Sequence, residues 1–157
     1  MDINIGLSED QREDIAEGLI ILLANSYALY IKTHNFHWNV EGPLFSELHH
    51  IFEKQYLELA LAIDEIAERV RALGVFVPAS FSQFAKITSI EEETHPIDAE
   101  AMVEQLVIGQ EEIVRIARHL MPLVTRVHDA PTESLLTDRM MVHEKNAWML
   151  RSLLEES

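Results

Sequence analysis

From Gln11 to Asn39 apolar residues recur every three or four positions, and no proline interrupts them. That spacing predicts one long helix. Ser8 followed three residues later by Gln11 reads as a capping box at its start. Gly18 weakens it slightly. One apolar stripe of this helix is Ile15, Leu19, Leu22, Leu29 and Phe36. A second is Ile20, Leu23, Tyr27 and Tyr30, continuing through His34 to His37. A helix in a monomeric bundle needs one such face. The second stripe is either a wide core face or a contact with another subunit. The turn Asn39-Val40-Glu41-Gly42-Pro43 ends the helix. A second long helix is expected from about Leu44 to Leu73, with Gly74 in the left-handed position after it. At about 1.5 Å per residue each helix is roughly 45 Å long.

Val75 to Pro96 is less regular, with Pro78, Pro96 and the polar run Glu91-Glu92-Glu93-Thr94. It reads as a crossover, with one short amphipathic helix from Ser80 to Ala85. Asp98 then caps a third long helix reaching about Arg126 and kinked at Pro122. His128 to Pro131 is a turn, and Thr132 caps a fourth helix to about Glu155. No strand-like alternation of useful length occurs. Two short turns and one long crossover between four helices predict an all-α, ferritin-like four-helix bundle, with a short extra helix in the crossover. The 157 residues fit a single domain, 1–157.

Composition narrows the function. The net charge is −15, with 48% hydrophobic residues and no cysteine. There is too much apolar surface for a disordered chain, and too much negative charge for the body to hold DNA by bulk electrostatics. Disulfide scaffolds, iron–sulfur clusters and thiol catalysis are excluded. The start, MDINIGLSED, lacks the basic and apolar regions of a signal peptide. The longest apolar run, Leu19 to Leu29, is interrupted by Asn25 and Ser26, too short and polar for a bilayer span. A soluble, cytoplasmic protein is expected.

The second helix carries Asp64 and Glu68 at i and i+4 on one face. Alone, they could be an ordinary charged outer face, although Ala60, Ile63 and Ala67 make part of their surroundings apolar. His49 precedes Asp64 by fifteen residues, only about 60° away around the axis but about 22 Å along it. Glu53 falls between them in angle. No single ion can bind both ends of that line. If His49 and Asp64 act together, they come from two copies of the helix packed antiparallel, with a two-fold axis near Tyr56 to Leu57. His37 comes level with His49 across the hairpin. Two imidazoles from one subunit and two carboxylates from its partner suit Fe(II), Mn(II) or Zn(II). Any one of these histidines taken singly could equally be a hydrogen-bonded buried residue.

The run Thr33-His34-Asn35-Phe36-His37-Trp38-Asn39-Val40-Glu41-Gly42-Pro43, then Phe45, Leu48 and His49, then Ile63-Asp64-Glu65-Ile66-Ala67-Glu68-Arg69, closely resembles the Dps family of mini-ferritins. The likeness extends through Leu73-Gly74 to the region of Trp148. It implies an iron-oxidising centre shared between two subunits, with His37, His49, Asp64 and Glu68 matching its metal-binding and catalytic residues. Glu53 matches a weaker acidic position for a second iron. The resemblance further implies a homo-oligomeric hollow shell of twelve subunits, built from two-fold dimers. Such a shell takes up Fe(II), oxidises it with hydrogen peroxide or oxygen, and stores ferric oxide. Zinc fits the same ligands. Trp38 either supplies or traps an electron or simply fills the subunit interface.

Two features depart from that family. Its DNA-binding members carry basic tails, whereas residues 1–11 here hold no lysine or arginine and the chain ends Leu153-Leu154-Glu155-Glu156-Ser157. DNA binding and compaction, the alternative function within the family, is therefore not expected. The iron-admitting pore usually has aspartates near the start of the last helix; here Asp129 and Glu133 remain, while Ala130, Pro131 and Ser134 replace acidic positions. His34, His50, His128 and His143 could add metal sites, although surface or hydrogen-bonding roles are expected for them. A helical metal-binding scaffold without redox turnover is the third reading.

Overall fold

The computed structural model describes residues 1–155; Glu156 and Ser157, the end of the acidic C-terminus, lie outside the described residues. The elements are α1 (Glu9–Asn39), α2 (Phe45–Ala72), α3 (Phe81–Ile87), α4 (Ala99–Arg126) and α5 (Ala130–Ser152). This is the expected all-α bundle of four long helices with a short one in the crossover.

Caps explain most boundaries. At Ser8 the capping box is complete: Gln11 N donates to Ser8 Oγ, and Ser8 N donates to Gln11 Oε1. Gly74, at φ +93°, takes the left-handed position beyond α2, and Val75 N donates back to the Val70 carbonyl at 3.3 Å. The Ser80 hydroxyl accepts from Gln83 N to start α3, which runs two residues past the expected Ala85. Asp98 caps α4, which continues through Pro122. The start of α5 differs from expectation. Its N-cap is Asp129, not Thr132, and Pro131 sits in the first turn. Proline suits that turn because the first helical N–H groups have no intrahelical acceptor.

The helices form a ring in which every neighbour is antiparallel. α1 pairs with α2, joining His37 to His49 at one end and Arg12 to the Leu73 carbonyl at the other. α1 crosses α4 with Leu29 over Gly109 and Leu120 over Gly18. A Cβ at either glycine would collide with those leucines, so the helix-weakening Gly18 is what lets α1 and α4 approach. α2 meets α5 through Glu58–Arg139 and Arg69–Asp129. α4 meets α5 through Gln110–His143 and Arg118–Glu144. The two short connections thus make two hairpins, and the long crossover carries the chain so that α4 runs antiparallel to α1.

The first stripe of α1 is fully buried core. The second is split. Leu23 is buried too, whereas Ile20, Tyr27, Tyr30 and His34 stay half-buried. Part of this face is covered within the chain, where the Tyr27 ring stacks on Phe84 of α3 at 5.1 Å. Taken whole, α1 is long and apolar enough to cross a membrane, unlike the interrupted Leu19–Leu29 run considered alone; half of its most apolar stretch is buried inside the bundle. That is the composition expected of a helix covered on more than one side.

Candidate metal centre

The turn between α1 and α2 brings His37 and His49 together. Their rings stack at 3.8 Å between centroids, with planes 14° apart. Each ring nitrogen Nδ1 meets the backbone carbonyl of the other residue, both at 2.7 Å. A carbonyl can only accept, so each imidazole donates its Nδ1–H. This assigns the tautomer: in the neutral ring the lone pair is on Nε2. A metal-binding histidine typically has its other nitrogen held by a carbonyl or carboxylate in this way. His37 is only 6% exposed, so its ring is held by its surroundings as well as by the hydrogen bond. Phe45 stacks on the far side of His49 at 5.1 Å.

Asp64 and Glu68 lie about two turns and one turn before the end of α2 and are exposed. Since α2 is continuous from Phe45 to Ala72, Asp64 is about 22 Å along the axis from His49. Among the described residues of one chain, no three histidine, aspartate or glutamate side chains are grouped to hold a metal. Within one chain the imidazole pair and the carboxylate pair are therefore separate candidate half-sites, about half the length of α2 apart. Glu53, half-buried and one turn beyond His49, is on the imidazole side. Between the half-sites, Leu57 and Leu61 are 54% and 72% exposed, as is Trp38 at 64%. These are the apolar side chains expected where a second copy covers the helix.

An aromatic wall surrounds the imidazoles. Tyr56 lies edge-on to His37 at 5.1 Å and beside His34 at 4.3 Å. His34 stacks on Trp38 at 3.7 Å. Burial, and then the neighbouring His37, push the His34 pKa down. Burial, with the Glu53 and Tyr30 charges, pushes the Tyr56 phenol up. The periodicity of Tyr30, His34 and His37 foreshadows this wall, but nothing local to the sequence marks Tyr56 as part of it.

The other candidate residues take different roles. Asp129 is not available to line a pore. It is 3% exposed, ion-paired to Arg69 at 2.7 Å, and accepts from the Thr132 amide and hydroxyl. Its carboxylate starts α5 and ties it to α2. Glu133 is half-buried. His143 is buried and hydrogen-bonded through both ring nitrogens, to Gln110 Oε1 and Arg139 Nη2. His50 Nδ1 donates to the Ser46 carbonyl. His128 is exposed, with φ 59° in the turn before α5.

The antiparallel bundle of four long helices, with its long crossover and short extra helix, defines a ferritin-like protein. In agreement, the ferritin family, described as a ferritin-like domain, matches residues 16–157. The DNA protection during starvation protein 2 of Bacillus anthracis is 38% identical over 144 residues, covering 92% of this chain and 99% of that one. A low temperature-induced protein of Nostoc sp. is 40% identical over 155 residues, covering 98% of this chain and 87% of its own. The crystal structure of the Dps protein of Vibrio cholerae O1 superposes with a TM-score of 0.93 at 36% identity, covering 99% and 98% of the two chains. That protein is described as a member of a broad superfamily of ferritin-like diiron-carboxylate proteins. Within the ferritin-like class, this chain belongs to the Dps family of mini-ferritins.

Proposed function

We propose that the protein is a ferroxidase and iron-storage subunit. It oxidises Fe(II) at a centre made by His37 and His49 of one subunit with Asp64 and Glu68 of another. The carrying observation is the imidazole pair, whose Nδ1–H groups are taken up by backbone carbonyls so that both Nε2 lone pairs are free. Carboxylates and imidazoles bind Fe(II) and suit Fe(III) still better through their oxygen donors, which favours loss of an electron. Two Fe(II) each give one electron to a peroxide. Its O–O bond breaks, and two protons complete two waters. Oxygen is the alternative oxidant. Zinc fits the same ligands and would compete with iron.

Exposed Leu57, Leu61 and Trp38 support assembly as two-fold dimers, and family membership supports a closed shell of twelve. Net charge −15 per chain supports cation accumulation inside such a shell, where ferric oxide is stored, limiting oxidative damage in the cytoplasm. The test is Fe(II) oxidation by peroxide in the wild type and in Asp64→Ala with Glu68→Ala. Equal rates overturn the reading.

DNA compaction is the second reading, favoured by the likeness to the DNA protection during starvation protein 2 of Bacillus anthracis. Against it, residues 1–11 carry no lysine or arginine. The N-terminal segment also lies on the bundle, with Ile3 against Gly74 and Leu7 against the core. Gel retardation at low salt is expected to show no shift; a shift there would favour compaction.

A further inference from the structure

A row of tyrosines leads away from the imidazole pair. Tyr56 meets the edge of His37 at 5.1 Å. Tyr30 meets Tyr56 edge-on at 5.9 Å, and Tyr27 follows at 5.8 Å from Tyr30. The row stops at Phe84, 5.1 Å beyond Tyr27. Phenylalanine is far harder to oxidise than tyrosine, so a missing electron arriving at Tyr27 goes no further. All three tyrosines are half-buried. Each ring touches the next, and the series crosses from α2 to α1.

We propose that Tyr56, Tyr30 and Tyr27 form an electron relay that serves the ferroxidase centre when it holds one Fe(II) instead of two. This rests on the site reading above. Peroxide needs two electrons to become water. A lone Fe(II) supplies one, and the O–O bond then breaks to hydroxide and a hydroxyl radical. With the relay, Tyr56 supplies the second electron and its phenolic proton goes to a departing hydroxide. One Fe(II), one phenol, one peroxide and one proton give one Fe(III), one tyrosyl radical and two waters. The radical moves from Tyr56 to Tyr30 and Tyr27 by successive transfers of one electron, each phenol that is oxidised releasing its proton and the one restored taking a proton up. A later Fe(II) returns an electron and water returns a proton, restoring the phenol.

Trp38 is the competing branch. Its ring contact with Tyr56 runs through His34, at 4.3 and 3.7 Å, and an imidazole is a poorer relay than a phenol. The tyrosine row has no such interruption.

The assembled protein is given one Fe(II) per site, mixed with peroxide, and freeze-quenched for electron paramagnetic resonance. A spin trap in parallel samples counts hydroxyl radicals. The wild type is expected to show a tyrosyl signal. Tyr56→Phe keeps the ring and is expected to lose that signal, with severalfold more trapped hydroxyl radical per Fe(II) oxidised. Tyr27→Phe is expected to keep a tyrosyl signal but with an altered hyperfine pattern, because the radical then rests on Tyr30 or Tyr56. The same signal and trap yield in Tyr56→Phe as in the wild type overturns the relay. So does a tryptophanyl signal that only Trp38→Phe removes. If Asp64→Ala with Glu68→Ala oxidises iron like the wild type, the site reading itself falls and the relay with it. If that variant is inactive while the wild type shows no tyrosyl radical, the relay alone falls.

Discussion

His37 and His49 at the hairpin end and His143 in the bundle core make the same first hydrogen bond and have opposite fates. All three donate Nδ1–H to a carbonyl-type oxygen, from backbone in the first two and from Gln110 in the third. All three therefore have the lone pair on Nε2. For His143 that lone pair accepts from Arg139 Nη2 at 2.9 Å, and Arg139 is in turn held by both oxygens of Glu58 at 2.7 and 2.8 Å. For His37 and His49 no described residue of the chain takes it. What separates a structural histidine from a candidate ligand is the second nitrogen. In the core that position is closed by a guanidinium, which excludes a metal ion by charge and by occupancy. At the hairpin it is open toward a face whose apolar neighbours are exposed.

The largest expected effect breaks the open side of this comparison. Asp64→Ala with Glu68→Ala is expected to slow peroxide-driven Fe(II) oxidation at least ~10²-fold, the upper end of losses seen when outer-shell partners alone are removed. His37→Ala should do the same, and stopped-flow absorbance checks both. If the imidazole and carboxylate pairs act as one centre across subunits, mixing the two kinds of variant after disassembly should restore part of the activity.

The closed side is broken by Arg139→Ala. It leaves His143 Nε2 and the partly exposed Glu58 without their partner. Leaving the buried His143 Nε2 without its donor costs about 1–3 kcal/mol, while the Glu58 carboxylate, 41% exposed, is taken up by water. Denaturant unfolding should record that loss, while iron oxidation per assembled site stays unchanged. A loss of oxidation at unchanged stability would mean that the core network belongs to the site.

Acid sharpens the comparison by a smaller amount. Burial first, and then the Arg139 cation, hold the His143 pKa down to about 3, against ~6.5 in an unfolded chain. Between those values the unfolded chain binds a proton that the folded one refuses. Stability is therefore full above about pH 6.5 and falls as pH drops toward 3, by ~1.4 kcal/mol per unit, or about 2 kcal/mol at pH 5. His143→Gln should flatten that part of the stability profile. An unaltered acid slope in the variant would show that the proton is taken up elsewhere.

Much of this was legible along the chain. Ser8 with Gln11, Asp98 and Gly74 mark helix ends through bonds reaching no more than a turn or so, so local reading finds them. The spacing of His49, Asp64 and Glu68 depends only on helix pitch, and the continuity of α2 keeps it. The misses are longer-ranged. Thr132 is a reasonable cap until Asp129 is seen locked by Arg69, sixty residues away in sequence. That same pair withdraws Asp129 from any pore. The stripe holding Leu23 reads equally as wide core or subunit contact, and only the packed bundle shows Leu23 to be core.

The amino-acid sequence by itself determined the helices, their order and the angular phase of four candidate ligands, because periodicity and caps act within a few residues. Tertiary structure alone decided which nitrogen of His37, His49 and His143 is available, and what stands before it. Those answers depend on a carbonyl twelve residues away, or on a guanidinium of the same helix that Glu58 of α2 holds in place, with Gln110 of α4 on the other nitrogen. Such contacts exist only once the bundle has closed and brought distant segments within hydrogen-bonding distance.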